Sequence, residues 1–273
     1  MRINQQTFIK QLIATVATTS SLVTLYSFFI KTSPSPIGES LLFLVILLFF
    51  NFFIALFLST EKNSINLKIN NTTKLSVYFG DIGECENIVV PVNDFFDTLV
   101  NDEVVSKNSL HGKFIKNVFG GNEKELQSLI DNALEDQQYE TVTNRKINRN
   151  KRYELGTVAK INHNGKDYYL VALTKFNSSN KAYIDSSAYQ IVIAKLLSFI
   201  GSHSQGKKVS LPLLGGSARS GITTLTKQQK LELLILSMSL SDTLSVDNGL
   251  ELVLSEHDKE ELSLNSLEQK NIF

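Results

Sequence analysis

Cysteine is almost absent from this chain: its 273 residues hold one, Cys85. No disulfide can form within the chain, which fits a reducing compartment, and a zinc site built on several thiolates is excluded. Net charge is absent too, because 27 Lys and Arg balance 27 Asp and Glu. Without a basic surplus the composition does not point to nucleic acid, and without an acidic one it does not point to a solvating tail. The four histidines, His111, His163, His203 and His257, are scattered without the spacing of metal ligands, so no metal is expected. Two phosphate-binding signatures are missing as well. No Gly-Lys-Ser/Thr closes a glycine-rich loop, and no GxGxxG is present.

What the sequence has in excess is two long apolar blocks. One covers 12–30, LIATVATTSSLVTLYSFFI, and the other 37–58, IGESLLFLVILLFFNFFIALFL. Each reaches the roughly 20 residues that a helix needs to cross hydrocarbon. The first is rich in Thr and Ser, whose hydroxyls can bond back to the helix, and carries no charge. The second has Asn51 as its strongly polar residue and Glu39 at its head. A signal peptide would have a shorter apolar core and a small-residue cleavage site. Two transmembrane helices are therefore expected within residues 1–60. The short linker 31–36 makes them a hairpin, with both chain ends on one side. Arg2, Lys10, Lys62 and Lys68 flank the ends and Lys31 alone marks the loop, so the positive-inside tendency puts both ends in the cytoplasm.

Residues 61–73, EKNSINLKINNTT, are polar and rich in Asn and Ser, and read as a linker. From Lys74 onward short strands alternate with helices. Strands are expected at 75–80, 87–92, 208–214 and 249–256. A hairpin is expected over 157–173, where Asn164-Gly165 supplies the positive φ of a tight turn. Helices are expected at 110–119 with Ser109 as cap, at 123–138, at 188–200, and at 225–239 with Thr224 or Thr226 as cap. Residues 144–152, NRKINRNKR, form a basic loop that touches anionic lipid or is simply solvated. The alternation implies an α/β domain whose mostly parallel sheet is covered on both faces, with ligands bound beyond the carboxyl ends of the strands.

Four segments carry candidate chemistry. The run LPLLGGSARSGI (211–222) places Gly215, Gly216 and Gly221 where backbone can approach a ligand closely. Ser217 and Ser220 add hydroxyls, and Arg219 adds a planar cation suited to phosphate. The run is either a flexible turn or a cradle whose successive amides hold an anion. Asp81 either accepts a hydrogen bond from an exocyclic amine such as that of adenine, or shapes a turn. Asn93 either meets a ribose diol or caps a helix. Ser109, Leu110, His111 and Gly112 either offer amides to an anion or begin an ordinary capped helix, with His111 a polar group on its surface.

In order, YFGDI (78–82), IVVPVN (88–93), NSLHGKF (108–114) and LPLLGGSARSGI (211–222) resemble a macro domain, the ADP-ribose-binding fold, over about residues 74–258. The resemblance implies a macro-like three-layer α/β/α domain over 74–273, with a mostly parallel mixed sheet. It also implies Asp81 at the adenine and Asn93 at the distal ribose, with Ile82 beside Asp81 among the ligand-binding residues. Two loops would then hold the diphosphate, one formed by Ser109, Leu110, His111 and Gly112. The other comprises Leu214, Gly215, Gly216, Ser217, Ala218, Arg219, Ser220 and Gly221.

Residues 89–119 together with 211–222 are similar to the divergent macro domain of Thoeris-type anti-phage effectors, and two spans ahead of it resemble that family's membrane-anchored branch. This implies an ADP-ribose-derived signal such as histidine-ADP-ribose, made by a TIR-domain partner, and no cofactor. It implies a multi-pass inner-membrane protein with its macro domain in the cytoplasm, acting as a homo-oligomer that disrupts the membrane in abortive infection. One departure bears on chemistry. Hydrolytic macro domains follow the Asn with a run of glycines, whereas Asn93 is followed by DFFDTLV. Asp94 and Asp97 are candidate bases with nothing in the sequence to poise them, so binding without turnover is expected and no catalytic residue is assigned. A membrane-tethered ADP-ribosyl hydrolase, a reader of ADP-ribosylated protein, and an anchor that has lost its ligand are the alternatives.

Overall fold

The computed structural model describes residues 3, 5–29, 37–145, 147–177, 179–216 and 224–269. The chain divides into two units, Met1–Lys62 with Ser263–Asn265, and Asn63–Leu262 with Ser266–Phe273.

The first unit is built on two helices, α1 (Gln5–Phe29) and α2 (Ile37–Leu58). α1 begins upstream of the expected span, and the expected linker 31–36 lies outside the described residues. At 1.5 Å per residue the helices are about 37 and about 33 Å long, against a hydrocarbon core of about 30 Å. Both are long and apolar enough to cross a membrane by length and composition. The core helix of a soluble protein is mostly buried, but here Leu42, Phe43, Ile46, Phe49, Phe50 and Phe53 of α2 are all exposed. The hydroxyls of α1 are quenched by its own backbone: Thr18 donates to the Ala14 carbonyl at 2.8 Å, Ser21 to Ala17 at 2.9 Å and Thr24 to Ser20 at 2.8 Å. Asn51 is buried and bonds across the pair, its amide donating to Thr19 Oγ1 at 3.1 Å and to the Leu47 carbonyl at 2.8 Å.

The second unit is built on an eight-stranded mixed sheet in the order β1-β2-β10-β9-β3-β7-β6, with β8 paired to β7. The strands are β1 (Ser64–Lys68), β2 (Lys74–Phe79), β3 (Ile88–Asn93), β6 (Val158–His163), β7 (Lys166–Phe176), β8 (Ala182–Tyr183), β9 (Val209–Pro212) and β10 (Leu250–Leu254). A separate ribbon pairs β4 (Tyr139–Thr141) with β5 (Lys151–Tyr153). Strands β2, β10, β9, β3 and β7 run parallel, and β1 and β6 close the two edges antiparallel. Helices α3 (Leu110–Phe119) and α4 (Glu123–Ala133) cover one face, and α5 (Ser186–His203) and α6 (Lys227–Ser239) the other. The two-residue period of β7 shows the layering directly. Tyr168 meets Phe114 of α3 with ring centroids 4.9 Å apart, and the next residue, Tyr169, meets Phe199 of α5 at 6.3 Å. β3 is buried on both faces, as its unbroken apolar run requires.

Several expectations are corrected. The linker 61–73 contains β1, whose Ile65 and Leu67 alternate inward with Ile69 following while Asn and Ser point out. α4 stops at Ala133 because its apolar stripe, Leu126, Ile130 and Leu134, ends there and polar residues follow. α5 starts earlier and ends later than 188–200, with Asp185 as its cap. Thr226, rather than Thr224, caps α6, and with Gln229 it forms a reciprocal capping box. β9 ends at Pro212, before the expected 214.

Candidate functional site

The connections from β3 and β9 leave in opposite directions across the sheet. β9 leads through α6 to β10 on one side, and β3 leads through α3 and α4 towards β7 on the other. A crevice therefore opens between the carboxyl ends of β3 and β9, the place where open α/β sheets bind ligands. The segments after β2, β3 and β9 all leave from this rim.

After β2, Asp81 caps a 3-10 turn over Ile82–Glu84, its Oδ1 accepting from the Gly83 amide at 2.9 Å. The turn lies against β9. Asp81 is exposed, while the Ile82 side chain is buried in the core with Val92, Phe95 and Phe114. Only the Ile82 backbone is thus left to serve the rim.

After β3, Asn93 is buried and its carboxamide is used internally. Oδ1 accepts from the amides of Phe95 at 3.0 Å and Asp97 at 3.4 Å, and Nδ2 donates to Asp97 Oδ2 at 2.9 Å. This turn is strained: buried Phe96 sits at φ 53, a left-handed conformation unusual for a bulky residue. Asp97 is gripped at both oxygens by Arg145, at 2.8 and 2.6 Å. Arg145 lies 3.8 Å over the Phe95 ring and also donates to the Arg149 carbonyl. Arg149 bonds the Phe95 carbonyl at 2.9 Å and Asp131 at 2.7 Å. Arg152 stands 3.1 Å from Asp94, whose other oxygen accepts from the Phe176 amide at 3.1 Å. Burial pushes the Asp94 carboxyl up to about 6, against the opposing pull of the Phe176 amide and Arg152. Arg145, Arg149 and Arg152 of the basic segment 144–152 are thus engaged by protein rather than left to solvent or lipid. Three of its arginines are folded into the rim against three aspartates.

At the start of α3, Ser109 Oγ accepts from the Gly112 amide at 3.0 Å and donates to the Ser106 carbonyl at 2.6 Å. Among the described residues no acceptor meets the amides of Leu110 and His111, which remain for a ligand at the helix start. His111 is buried, not a surface group. Burial lowers its pKa to about 3, so the ring is neutral, and its Nε2 is enclosed without a hydrogen-bond partner. Gly112 answers to packing: a Cβ there would stand 2.1 Å from the Ser106 carbonyl oxygen.

After β9, the Leu214 carbonyl accepts from Tyr189 Oη at 2.8 Å, and the Gly215 carbonyl accepts from Lys230 Nζ at 2.9 Å. Gly215 has φ 66, and the Gly216 amide returns to the Leu213 carbonyl at 3.1 Å. Ser217, Ala218, Arg219, Ser220 and Gly221 lie outside the described residues. Tyr189 and Lys230 are supports that the sequence reading missed. Lys230 had a signal, since it falls on the buried stripe of Leu231, Leu234, Ile235 and Met238.

The family model of the Thoeris protein ThsA macro domain matches residues 75–255. The chain belongs to this family. The Thoeris protein ThsA of Bacillus amyloliquefaciens (strain Y2) is 29% identical over 169 residues, 59% of this chain and 53% of that protein. The chain thus spans about half the length of that relative. The macrodomain of Oceanobacillus iheyensis with MES bound has the same fold, with a TM-score of 0.50 and 14% identity over 76% of this chain and 98% of its own. The domain is a macro domain of the Thoeris ThsA type, with a mixed, mostly parallel sheet.

Proposed function

We propose that the rim binds an ADP-ribose-derived signal nucleotide without turning it over, and that the chain is a membrane-anchored Thoeris effector. The observation that carries this is the crevice between β3 and β9, where the Asp81 turn, the open amides of Leu110 and His111 and the anchored loop Leu214–Gly216 gather in a domain of this family. Asp81 serves the adenine and the two loops serve the diphosphate. With the carboxamide of Asn93 tied to Asp97, the distal ribose is met only if that bond is exchanged. What supports the reading without turnover is the setting of the carboxylates nearest the rim. Asp94 and Asp97 are enclosed and held by Arg152 and Arg145, so neither is poised over a water.

In this reading α1 and α2 span the inner membrane and the macro domain lies in the cytoplasm. A TIR-domain enzyme supplies the signal, histidine-ADP-ribose being the favoured form. Binding drives copies of the chain to assemble and disrupt the membrane, through a difference in affinity between resting and assembled states. The test is calorimetry on the full chain in detergent with ADP-ribose, histidine-ADP-ribose, cyclic ADP-ribose and NAD, followed by product analysis. One ADP-ribose derivative is expected to bind intact, and more weakly to Asp81→Ala and Arg219→Ala. Release of a cleaved product would make the protein a hydrolase. A folded chain that binds none of the four would be an anchor only.

A further inference from the structure

His111 is 6% exposed, and its Nε2 has no hydrogen-bond partner. A buried polar atom left unpaired costs stability, and folded proteins keep few of them. No charged neighbour compensates for it. Burial alone lowers the pKa of the ring, and no acid or base shares in the shift. A neutral imidazole carries one N–H, which either nitrogen can hold.

The place of the ring gives that N–H a use. His111 stands in the first turn of α3, on the same face as Phe114 and Ile115, which are buried in the core. Helical side chains lean towards the amino end of their helix, so the ring of His111 is carried past Phe114 to the open end of α3. There the amides of Leu110 and His111 meet no acceptor among the described residues, while the next amide, Gly112, is taken by Ser109 Oγ at 3.0 Å. Two backbone donors and one side-chain nitrogen thus stand unpaired in one helical turn, at the end of the helix that attracts negative charge. All three are neutral, and an anion accepting from them would be held without a cation.

We propose that the ring of His111 is itself a ligand contact, its Nε2–H donating to a phosphate anion seated on the amides of Leu110 and His111. That this anion is the diphosphate of a nucleotide rests on the nucleotide reading above; the three donors by themselves define only a phosphate. The ring reaches it by turning about χ2, which moves no backbone. The unpaired nitrogen burdens the resting protein and is satisfied when the ligand arrives.

The test uses the full chain in detergent and three probes: inorganic pyrophosphate, ADP-ribose and adenosine, which carries no phosphate. His111→Phe keeps a flat ring and removes both nitrogens. It is expected to unfold at no lower denaturant concentration than the wild type, because it deletes an unpaired polar atom. It is also expected to bind pyrophosphate and ADP-ribose about tenfold more weakly, with adenosine binding within about twofold. Nitrogen NMR of the histidine-labelled wild type gives a readout that does not depend on the variant. His111 is recognised there as a ring still neutral at pH 5, and its Nε2 signal is expected to shift when pyrophosphate is added. A less stable Phe variant would show that Nε2 already has a partner in the resting protein, and would overturn the proposal. Wild-type affinity for pyrophosphate and ADP-ribose in that variant would do the same. So would an Nε2 signal that pyrophosphate leaves in place, or a matching loss of adenosine binding, which points to a disturbed fold. With ADP-ribose still bound by the wild type, each of these results leaves the nucleotide reading standing. A wild type that binds pyrophosphate through His111 but no ADP-ribose would support the ring contact and sink the nucleotide reading. A wild type that binds neither would overturn both.

Discussion

Asp97 holds one end of Asn93 and both arms of Arg145, and so couples the turn after β3 to a segment 48 residues further on. Asp97→Asn would leave the enclosed guanidinium of Arg145 without its counter-ion. Removing one partner of a buried pair costs about 3–5 kcal/mol, and a loss of that size is expected in the urea midpoint of the domain. Arg145→Lys should not be tolerated much better, because an ammonium cannot fill the two-pronged contact. Asp94 sets a pH dependence of known sign. Its folded pKa of about 6 lies above the ordinary 3.8, so the folded state takes up the proton first. This group therefore favours folding as pH falls from above 6 towards 4, and that contribution is lost as pH rises through 6. Asp94→Asn should remove this component from denaturant midpoints measured between pH 7 and 5; an unchanged slope would show that Asp94 does not titrate there. None of this was legible in NRKINRNKR, which by composition is an ordinary charged loop. Its partners lie in DFFDTLV, and pairing across such a separation leaves no local pattern. The Asp81 turn and the Ser109 cap were legible, because a cap bonds within three residues of itself.

At the scale of elements, periodicity was a good guide and polarity a poor one. The hairpin of β6 and β7 turns at Asn164 and Gly165 with φ 52 and 78, as the Asn-Gly pair implied. α3 begins one residue after Ser109, as its capping pattern implied. β1 was hidden because its Asn and Ser residues outweighed the alternation of Ile65, Leu67 and Ile69. Gly112 carries the sharpest prediction at this scale. Its Cβ-less face lets α3 approach the Ser106 backbone, and backbone cannot step aside as a flexible side chain would. Gly112→Ala is expected to destabilise the domain by roughly 1–3 kcal/mol and to weaken nucleotide binding by displacing the Leu110 and His111 amides. Thermal unfolding read alongside calorimetry checks both. Wild-type stability in this variant would mean that α3 shifts freely.

For the whole molecule, the outward apolar faces of α1 and α2 give a simple expectation. The chain should stay with the membrane pellet through an alkaline carbonate wash, and release into the supernatant would remove the anchor from the proposal. The sheet has a further consequence that lies in time rather than space. Among the described strands β10 is the last to be made, yet it belongs inside the sheet, pairing Leu250 with Leu75 of β2 on one side and with Val209 of β9 on the other. Throughout synthesis β2 has only β1 beside it, and its inner edge waits unpaired for a strand still being translated. The pairings that β10 makes with β2 span about 175 residues of chain, so the sheet is completed only by a long-range contact. A chain that stops short of β10 consequently carries its two apolar helices but not the completed sheet on which the rim is built.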